Sequence, residues 1–512
     1  MNPIRFLLVQ PSSGSKATSA ATLAGSEHLG LAYLASALAL HGYSSEIVDL
    51  EAVPMKSPDF VALVVSGQYD VVGFSPTAKS VPNALLLMHD LKMQNPDVVT
   101  LWGGHLATGM GSEVFAHVGD LDAVVVGQAE RVIPLIALAL ERGKVLPQHP
   151  QILINHAGRV TDTLVLENVE TPSWYDLLPT RRLPAKHYSE VGARIVTSLG
   201  CRYSCSFCTS PYFYGRRTIW RRLDHVFQEI DFLVNQLGVK RLWLNDDLFI
   251  DGSPLSRARA REFARRLSQQ YEDIRFRPMC RADTFQTDRA LLDELALAGM
   301  DTIFVGFDSG DDRALREIGK RTTSEAGRWI ASVLNDRGVI LQPGFMMFTP
   351  GATTDTLFLN VGFLDAIGEL YRLFPLTRTA MAFPKTELWG QMQVSYDEER
   401  STPYVRYPRF KSAVVRQLSI AFERLEEHFA ETDGALYRLR ATGRLDMSAR
   451  RAAGAFLRQL FSNAVQLAQE GADADRIEHF VLRYRPELEK WLSCPNCLAG
   501  RRSDGPVVNL NE

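Results

Sequence analysis

The sequence predicts an α/β protein in three parts. These are a doubly wound parallel sheet at the N-terminus, a partial (β/α)6 barrel of TIM type, and a helical C-terminal domain. Three observations lead there. Short apolar runs alternate with helix-length segments over residues 1–147, the pattern of βα units and a parallel sheet. The alternation resumes at Arg194 and continues to about Phe383 with six further strand candidates, which suits a partial barrel. Beyond residue 400 apolar positions recur three and four apart, the helical period, without strand signals.

Taken in order, the N-terminal strands fall at 4–10, 45–50, 71–75, 98–102 and 123–126, with helices at 30–40, 82–93 and 130–141. Prolines and the Trp174-Tyr175 pair without periodicity mark 148–190 as a linker. The barrel strands are expected at 194–198, 241–244, 274–279, 302–307, 340–347 and 379–383. Helices at Leu223–Leu237, 257–270, 288–298 and 323–337 lie between them. The barrel domain therefore spans 191–390. The C-terminal domain, 391–512, carries helices at 411–431, 435–442, 448–470 and 474–484.

At 512 residues the chain has material for about three domains of ordinary size. Apolar content of 46% and charged content of 22% are those of a soluble globular protein. A net charge of −3 argues against nucleic acid or an anionic membrane as partner. The clusters Arg216, Arg217, Arg221, Arg222 and Arg450, Arg451 are short and read as solvated helix faces. The apolar run at 6–9 soon meets Pro11-Ser12-Ser13-Gly14, unlike a secretory signal. The stretch 29–40 is too short to span a bilayer. Six cysteines without an export signal point to a reducing compartment, the cytoplasm.

Half of those cysteines crowd into one segment, Gly200-Cys201-Arg202-Tyr203-Ser204-Cys205-Ser206-Phe207-Cys208. Thiolates hold iron–sulfur clusters, and a full set is four. Three leave one iron open to a further ligand. Cysteines at i, i+4 and i+7 would also suit a buried helix face. However, Gly200 and Pro211 bracket a polar, basic stretch, which reads as a loop leaving a strand.

This C-x-x-x-C-x-x-C motif, with an aromatic before its last cysteine, resembles that of the radical SAM superfamily. The resemblance implies a [4Fe–4S] cluster on Cys201, Cys205 and Cys208, with S-adenosylmethionine (SAM) on the open iron. It further implies SAM contacts from Phe207, from Asp246 and Asp247 to the methionyl amine, and from Arg281 to the carboxylate. Asp308 and Ser309 stand where the family has Gly-x-Glu-Ser-Gly, a carboxylate for the ribose hydroxyls; alternatively they cap a helix near Asp311. Residues 343–351 resemble the family's adenine-side segment. Pro384-Lys385-Thr386 resembles its closing Pro-Gly-Thr turn, with Lys385 replacing glycine.

The first part is similar to the cobalamin-binding domain that precedes the barrel in one large subclass. The matching segments are Gly30-Leu31-Ala32-Tyr33-Leu34, Val71-Val72-Gly73-Phe74-Ser75, the Gly-Gly-His turn at 103–108, and Val126-Gly127-Gln128-Ala129-Glu130. The cobalamin contacts this implies are Ser12, Ser13, Ser75, Thr77, Gly103, Gly104, His105, Gly127 and Gln128, where Gln128 replaces the usual Glu. The Asp-x-His-x-x-Gly pattern of histidine-ligated corrinoids fails at His28, which has Ser26 before it and Leu31 after. The lower cobalt face is then not capped by histidine, and His105 serves shape or hydrogen bonding.

The implied activity is reductive SAM cleavage coupled, through cobalamin, to methylation of an unactivated carbon of a small secondary-metabolite substrate. A flavodoxin- or ferredoxin-type donor would supply the electron. The alternative is a radical SAM dehydratase, cyclase or oxidoreductase whose first domain binds no cobalamin; a cluster-carrying redox protein lies outside enzymes. Cys280 and the aromatics Trp389, Tyr396, Tyr404 and Tyr407 read as packing residues. Cys494-Pro495-Asn496-Cys497 is half of a zinc ribbon, and would serve as a redox dithiol or ligate a second cluster with help from elsewhere.

Overall fold

Residues 4–14, 27–143, 146–156, 159–160, 177–393, 395–441, 443 and 445–492 are described in the computed structural model. Strands β1 (Arg5–Gln10), β2 (Ser44–Asp49), β3 (Val71–Phe74), β4 (Val99–Trp102) and β5 (Ala123–Val125) pair in parallel, in the order β2-β1-β3-β4-β5. The near-continuous apolar runs of β1, β3 and β5 are buried on both faces, as a sheet covered by helices requires. The sheet does not stop where the linker was expected. β6 (Ile152–His156) pairs antiparallel with β5, and β7 (Arg159–Val160) pairs with β6. Ile152, Leu153 and Ile154 are buried, so this apolar run is a strand of the sheet rather than a bridge between domains. The Gly-Gly-His turn likewise continues as a helix, Gly104–Met110, and the helix Ser57–Ser66 was not expected. Residues 161–176 of the expected linker, and the Cys494, Cys497 pair, lie outside the described residues.

The barrel strands form two three-stranded arcs. One runs β12 (Arg275–Arg277), β11 (Arg241–Leu244), β8 (Ala193–Ile195); the other runs β13 (Met279–Arg281), β14 (Thr302–Asp308), β15 (Ile340–Phe345). All pairs are parallel. Pro278, which has no N–H to donate, separates β12 from β13, yet Phe304 N still donates to its carbonyl at 3.0 Å. The two arcs are thus one curved wall. The expected first strand splits, because β9 (Ser198–Leu199) turns to pair antiparallel with β10 (Ile219–Trp220). The expected sixth strand is reduced to two isolated bridges, Phe348 with Thr379 in parallel and Ala382 with Arg406 antiparallel.

Side chains alternate along these strands. Leu242, Leu244, Ile303, Val305, Leu341 and Phe345 join Phe227, Phe263, Leu291 and Ile330 of the surrounding helices in one core. Their neighbours Trp243, Phe304 and Gln342 therefore face the barrel lumen. Cys280 is buried in the same core, as expected. That core runs on without a break into the C-terminal helices through Phe422, Leu457, Phe461 and Val481. One helix, Ala413–Ala441, replaces the two expected at 411–431 and 435–442. Its Asp433 accepts from Leu373 N at 2.9 Å and Phe374 N at 2.6 Å, anchoring it to the barrel.

Two arginines expected on solvated faces are buried. Arg221 is 1% exposed and ion-paired to Glu229, which also takes Arg181 at 2.5 Å. Arg450 is 8% exposed and donates to Gly368 O and Asn335 Oδ1. Carboxylates and carbonyls distant in sequence meet these guanidiniums, which helical periodicity cannot show. Arg216, Arg217, Arg222 and Arg451 are exposed.

Candidate active site

The cysteine loop leaves β9 at Gly200, whose φ is +79°. A side chain there would collide with Arg217 O and lie 3.0 Å from Tyr214 Cβ, so glycine is required. The loop is clamped on three sides. Gly200 N donates to Asp247 Oδ2 at 2.8 Å, Ser206 N to Ile318 O at 3.0 Å, and Leu388 N to Ser206 O at 2.8 Å. Cys201, Cys205 and Cys208 are free and partly exposed. Burial raises all three thiols, Cys208 to about 12, and each of the other two thiols adds to the rise at Cys208. Lys320 and Arg281 oppose the shift at Cys205. Among the described residues no three Cys, His, Asp or Glu side chains converge on one ion. A cubane makes no such demand, because each thiolate takes a different iron.

The barrel acids fall into two groups. Asp246 is 1% exposed and committed to support: it accepts from Thr197 N at 2.6 Å, Thr197 Oγ1 at 2.5 Å and Ser198 Oγ at 3.0 Å. Ser309 is equally buried, its Oγ donating to Asn360 Oδ1 at 2.8 Å. Asp247 lines the interdomain cavity described below, beside Asn245. Asp308 ends β14 at a register shift with φ +67° and is ion-paired to Lys320, both nearly buried. The helix cap proposed for Asp308-Ser309 belongs instead to Asp311, which accepts from Arg313 N. Arg281 holds Asp283 Oδ1 at 3.0 Å and Lys320 O at 2.5 Å and lies 3.9 Å over the Tyr203 ring. Phe207 packs against Ala382, Leu388 and Met392. Lys385, the residue in place of glycine, adopts the glycine conformation with φ +68°.

Between the strand ends of the first sheet and those of the barrel lies a cavity of about 400 Å³. Of the expected first-domain contacts, Ser75, Gly103, Gly104, His105, Gly127 and Gln128 line it, whereas Ser12, Ser13 and Thr77 do not. Gly104 has φ +87°, and a Cβ there would stand 2.9 Å from Ser75 Oγ. His105 lies edge-on to Phe213, with centroids 4.3 Å apart, so the cysteine-loop helix Ser210–Tyr214 supplies the facing wall.

Beside the expected Gln128, the lining holds Glu130, His28 and Arg194, which the sequence did not single out as contacts. Gln128 carries an amide with neither atom partnered among the described residues, and Glu130 Oε2 is likewise sealed and unpartnered. Burial raises the Glu130 carboxyl to about 7. His28 caps the helix Leu29–Leu40, its Nδ1 accepting from Leu31 N at 3.1 Å. The neutral ring therefore presents an N–H at Nε2, 3.5 Å from Ser75 Oγ. Burial, and next the Arg194 charge, lower its pKa to about 4. Arg194 on β8 lines the cavity too. The only signals were a histidine at a helix start and an arginine inside an apolar strand. Tyr404 packs on Trp102 of the first domain, and Tyr407 donates to Glu423 Oε1 at 2.7 Å. Trp389 and Tyr396 sandwich Arg406. All four aromatics are packing residues.

Residues 20–137 match the model of the B12 binding domain, and residues 195–357 match that of the radical SAM superfamily. An uncharacterized methyltransferase of Pyrococcus horikoshii is 26% identical over 395 residues, 76% of this chain and 83% of the relative. Among solved structures, the cobalamin-dependent SAM radical enzyme OxsB, with aqua-cobalamin and SAM bound, matches with a TM-score of 0.70 at 16% identity. The match covers 98% of this chain and 82% of that one. The radical SAM methyltransferase TsrM of Kitasatospora setae, with tryptophan and a SAM analogue, matches with a TM-score of 0.64 at 19% identity, over 89% and 99%. At these identities the structural likeness is one of fold.

Proposed function

Because the chain belongs to the radical SAM superfamily and carries a B12-binding domain ahead of its barrel, we propose that it is a cobalamin-dependent methyltransferase acting on an unactivated carbon of a small-molecule substrate. The observation that carries this reading is the shared cavity, whose two walls are the strand ends of the two domains. Cys201, Cys205 and Cys208 would hold the cluster. Asp247, Asp308 and Lys320 supply the charges that a SAM amine, ribose and carboxylate need, while Arg281 braces the loop through Tyr203. Gly103, Gly104 and Gly127 leave the room that a flat macrocycle needs, and the unpartnered Gln128 amide and Glu130 Oε2 match its amide rim. When bound, these groups supply an electron to cleave SAM, a radical to take a substrate hydrogen, and a transferable methyl.

The residues do the rest. The clamps on Gly200, Ser206 and Leu388 fix the loop that carries the thiols, and the Asp247 that accepts from Gly200 N lines the cavity. His28 presents an N–H rather than a lone pair to the first-domain side, so it orients by donating. Phe213 and Tyr214 close the wall and exclude water. A flavodoxin- or ferredoxin-type protein is proposed as electron donor.

The test is anaerobic purification from cells supplied with iron and hydroxocobalamin. Corrinoid is quantified by its visible spectrum beside iron and sulfide, and methyl transfer is followed from labelled SAM. Near-stoichiometric corrinoid with one four-iron cluster is expected. A cluster without corrinoid would overturn the reading. Deoxyadenosine formed without methyl transfer, corrinoid being bound, would favour the dehydratase, cyclase or oxidoreductase reading.

A further inference from the structure

The lumen of the barrel carries an arginine, Arg277, that no described carboxylate balances. Alternation turns Arg194 (β8), Trp243 (β11), Arg277 (β12) and Gln342 (β15) inward, since their neighbours Ile195, Leu242, Phe276 and Leu341 belong to the outer core. Register places Arg194 beside Trp243, and Trp243 beside Arg277. Arg277 has its guanidinium carbon 5.9 Å from the Trp243 ring centroid and 5.1 Å from that of Phe304. Its Nε donates to Gln342 Oε1, and Gln342 Nε2 in turn donates to Tyr437 OH on the helix Ala413–Ala441. The guanidinium is thus aimed by a relay and walled by two aromatic faces.

Among the described residues no carboxylate forms an ion pair with Arg277. The charged or titratable groups it senses are Tyr437 and a second cation, Arg194. Desolvation lowers its pKa to about 10. For Arg194 the balancing charge is Asp49, which makes no ion pair with it and whose Oδ1 accepts from Glu51 N and Ala52 N. Several other interior arginines are ion-paired, Arg181 and Arg221 with Glu229 and Arg440 with Glu369, although Arg372, outside the lumen, is not among the described residues. A desolvated guanidinium, with its remaining N–H groups unspent, recognises a planar or tetrahedral oxyanion through paired hydrogen bonds.

We propose that the barrel lumen binds an oxyanion-bearing substrate, a phosphate ester or a carboxylic acid, on Arg277 with Arg194 as the second cation and the Trp243 and Phe304 rings against its organic part. That the occupant is the substrate rests on the function proposed above. The binding of the anion does not, so the two fail separately.

The experiment is calorimetric titration of the anaerobic holoenzyme with inorganic phosphate, and separately with acetate, at ionic strength fixed by chloride. Binding of at least one anion is expected. Its affinity should fall about ten- to hundredfold in Arg277→Gln, the usual cost of losing a charge-assisted pair. Phosphate and acetate distinguish the two chemistries. In the unmutated protein, phenylglyoxal labelling of Arg277, read by peptide mass, should be suppressed by the anion that binds. This keeps the proposal testable if the variant misfolds. Absence of binding by both anions, unchanged affinity in Arg277→Gln, or labelling that neither anion suppresses would each overturn it. Loss of methyl transfer or corrinoid with anion binding intact would overturn the methyltransferase reading alone.

Discussion

Replacing Glu130 by Gln should stabilise the cofactor-free protein, and increasingly so as pH rises. Glu130 Oε2 is sealed from solvent with no hydrogen-bond partner among the described residues, and burial lifts the carboxyl from 4.5 to about 7. An acid with a raised folded pKa holds its proton more tightly when folded. The stability it contributes is therefore complete below pH 4.5 and is lost as pH climbs through about 7. The gap corresponds to about 3 kcal/mol. Gln keeps the shape of the protonated acid and cannot ionise. His28 works the other way: with its pKa lowered to about 4, its charging opposes folding only on the acid side of the ordinary histidine value. Wild type alone would show two opposed slopes that partly cancel, so the informative quantity is the difference between variant and wild type. By the linkage relation that difference should grow by roughly 2.5 kcal/mol between pH 5 and pH 8, measured as urea unfolding free energy at constant salt. Parallel pH profiles for the two proteins would refute the burial of an ionisable oxygen at this point.

Gly104→Ala puts a Cβ 2.9 Å from Ser75 Oγ at a φ of +87°, and should cut retained corrinoid severalfold while iron content stays unchanged; equal corrinoid would count against this wall as the binding surface. Lys385→Gly removes a left-handed side chain at φ +68° and should raise stability by up to about 1 kcal/mol, seen as a higher melting temperature. Glu229→Gln leaves Arg181 and Arg221 without their shared carboxylate and should cost about 3 kcal/mol or more, read from urea midpoints; a loss under about 1 kcal/mol would mean the triad is dispensable.

Much of the fold was legible because its signals are local. The helix Leu223–Leu237 was read at its observed ends, since Leu, Val and Ile recur there at helical spacing and Gly238 closes it in the left-handed conformation. The helix Ser324–Asp336 was bracketed by its cap residues Thr323 and Arg337. What failed was non-local. Nothing in Ile152–His156 says that Leu153 pairs antiparallel with Val124, 29 residues earlier, because a strand and an apolar linker look alike until the partner is known. Asp246 and Asp247 are adjacent carboxylates at one strand end, and alternation sends one beneath the loop and the other into the cavity. The cysteine loop was legible because its spacing is itself the chemistry. Lys320 was not, since it meets Asp308 only through the turn after the helix Asp312–Glu317.

Asp308 and Lys385 both take a left-handed conformation that favours glycine, yet the two strains differ in kind. At 385 the side chain makes no contact that the geometry needs, and the neighbouring turn is fixed by Pro384, whose carbonyl lies 2.9 Å from where a Cβ on Gly109 of the first domain would stand. Glycine would serve there as well. At 308 the same conformation swings a carboxylate off the end of β14 and onto Lys320, whose charge also reaches Cys205. Glycine would relieve the backbone and leave Lys320 buried without a counter-charge, a cost of about 3 kcal/mol that exceeds the relief of about 1 kcal/mol. The strain at 308 therefore persists because the ion pair outweighs it. It leaves an acid and a base within reach of the cysteine loop, where a zwitterionic ligand can exchange partners with both.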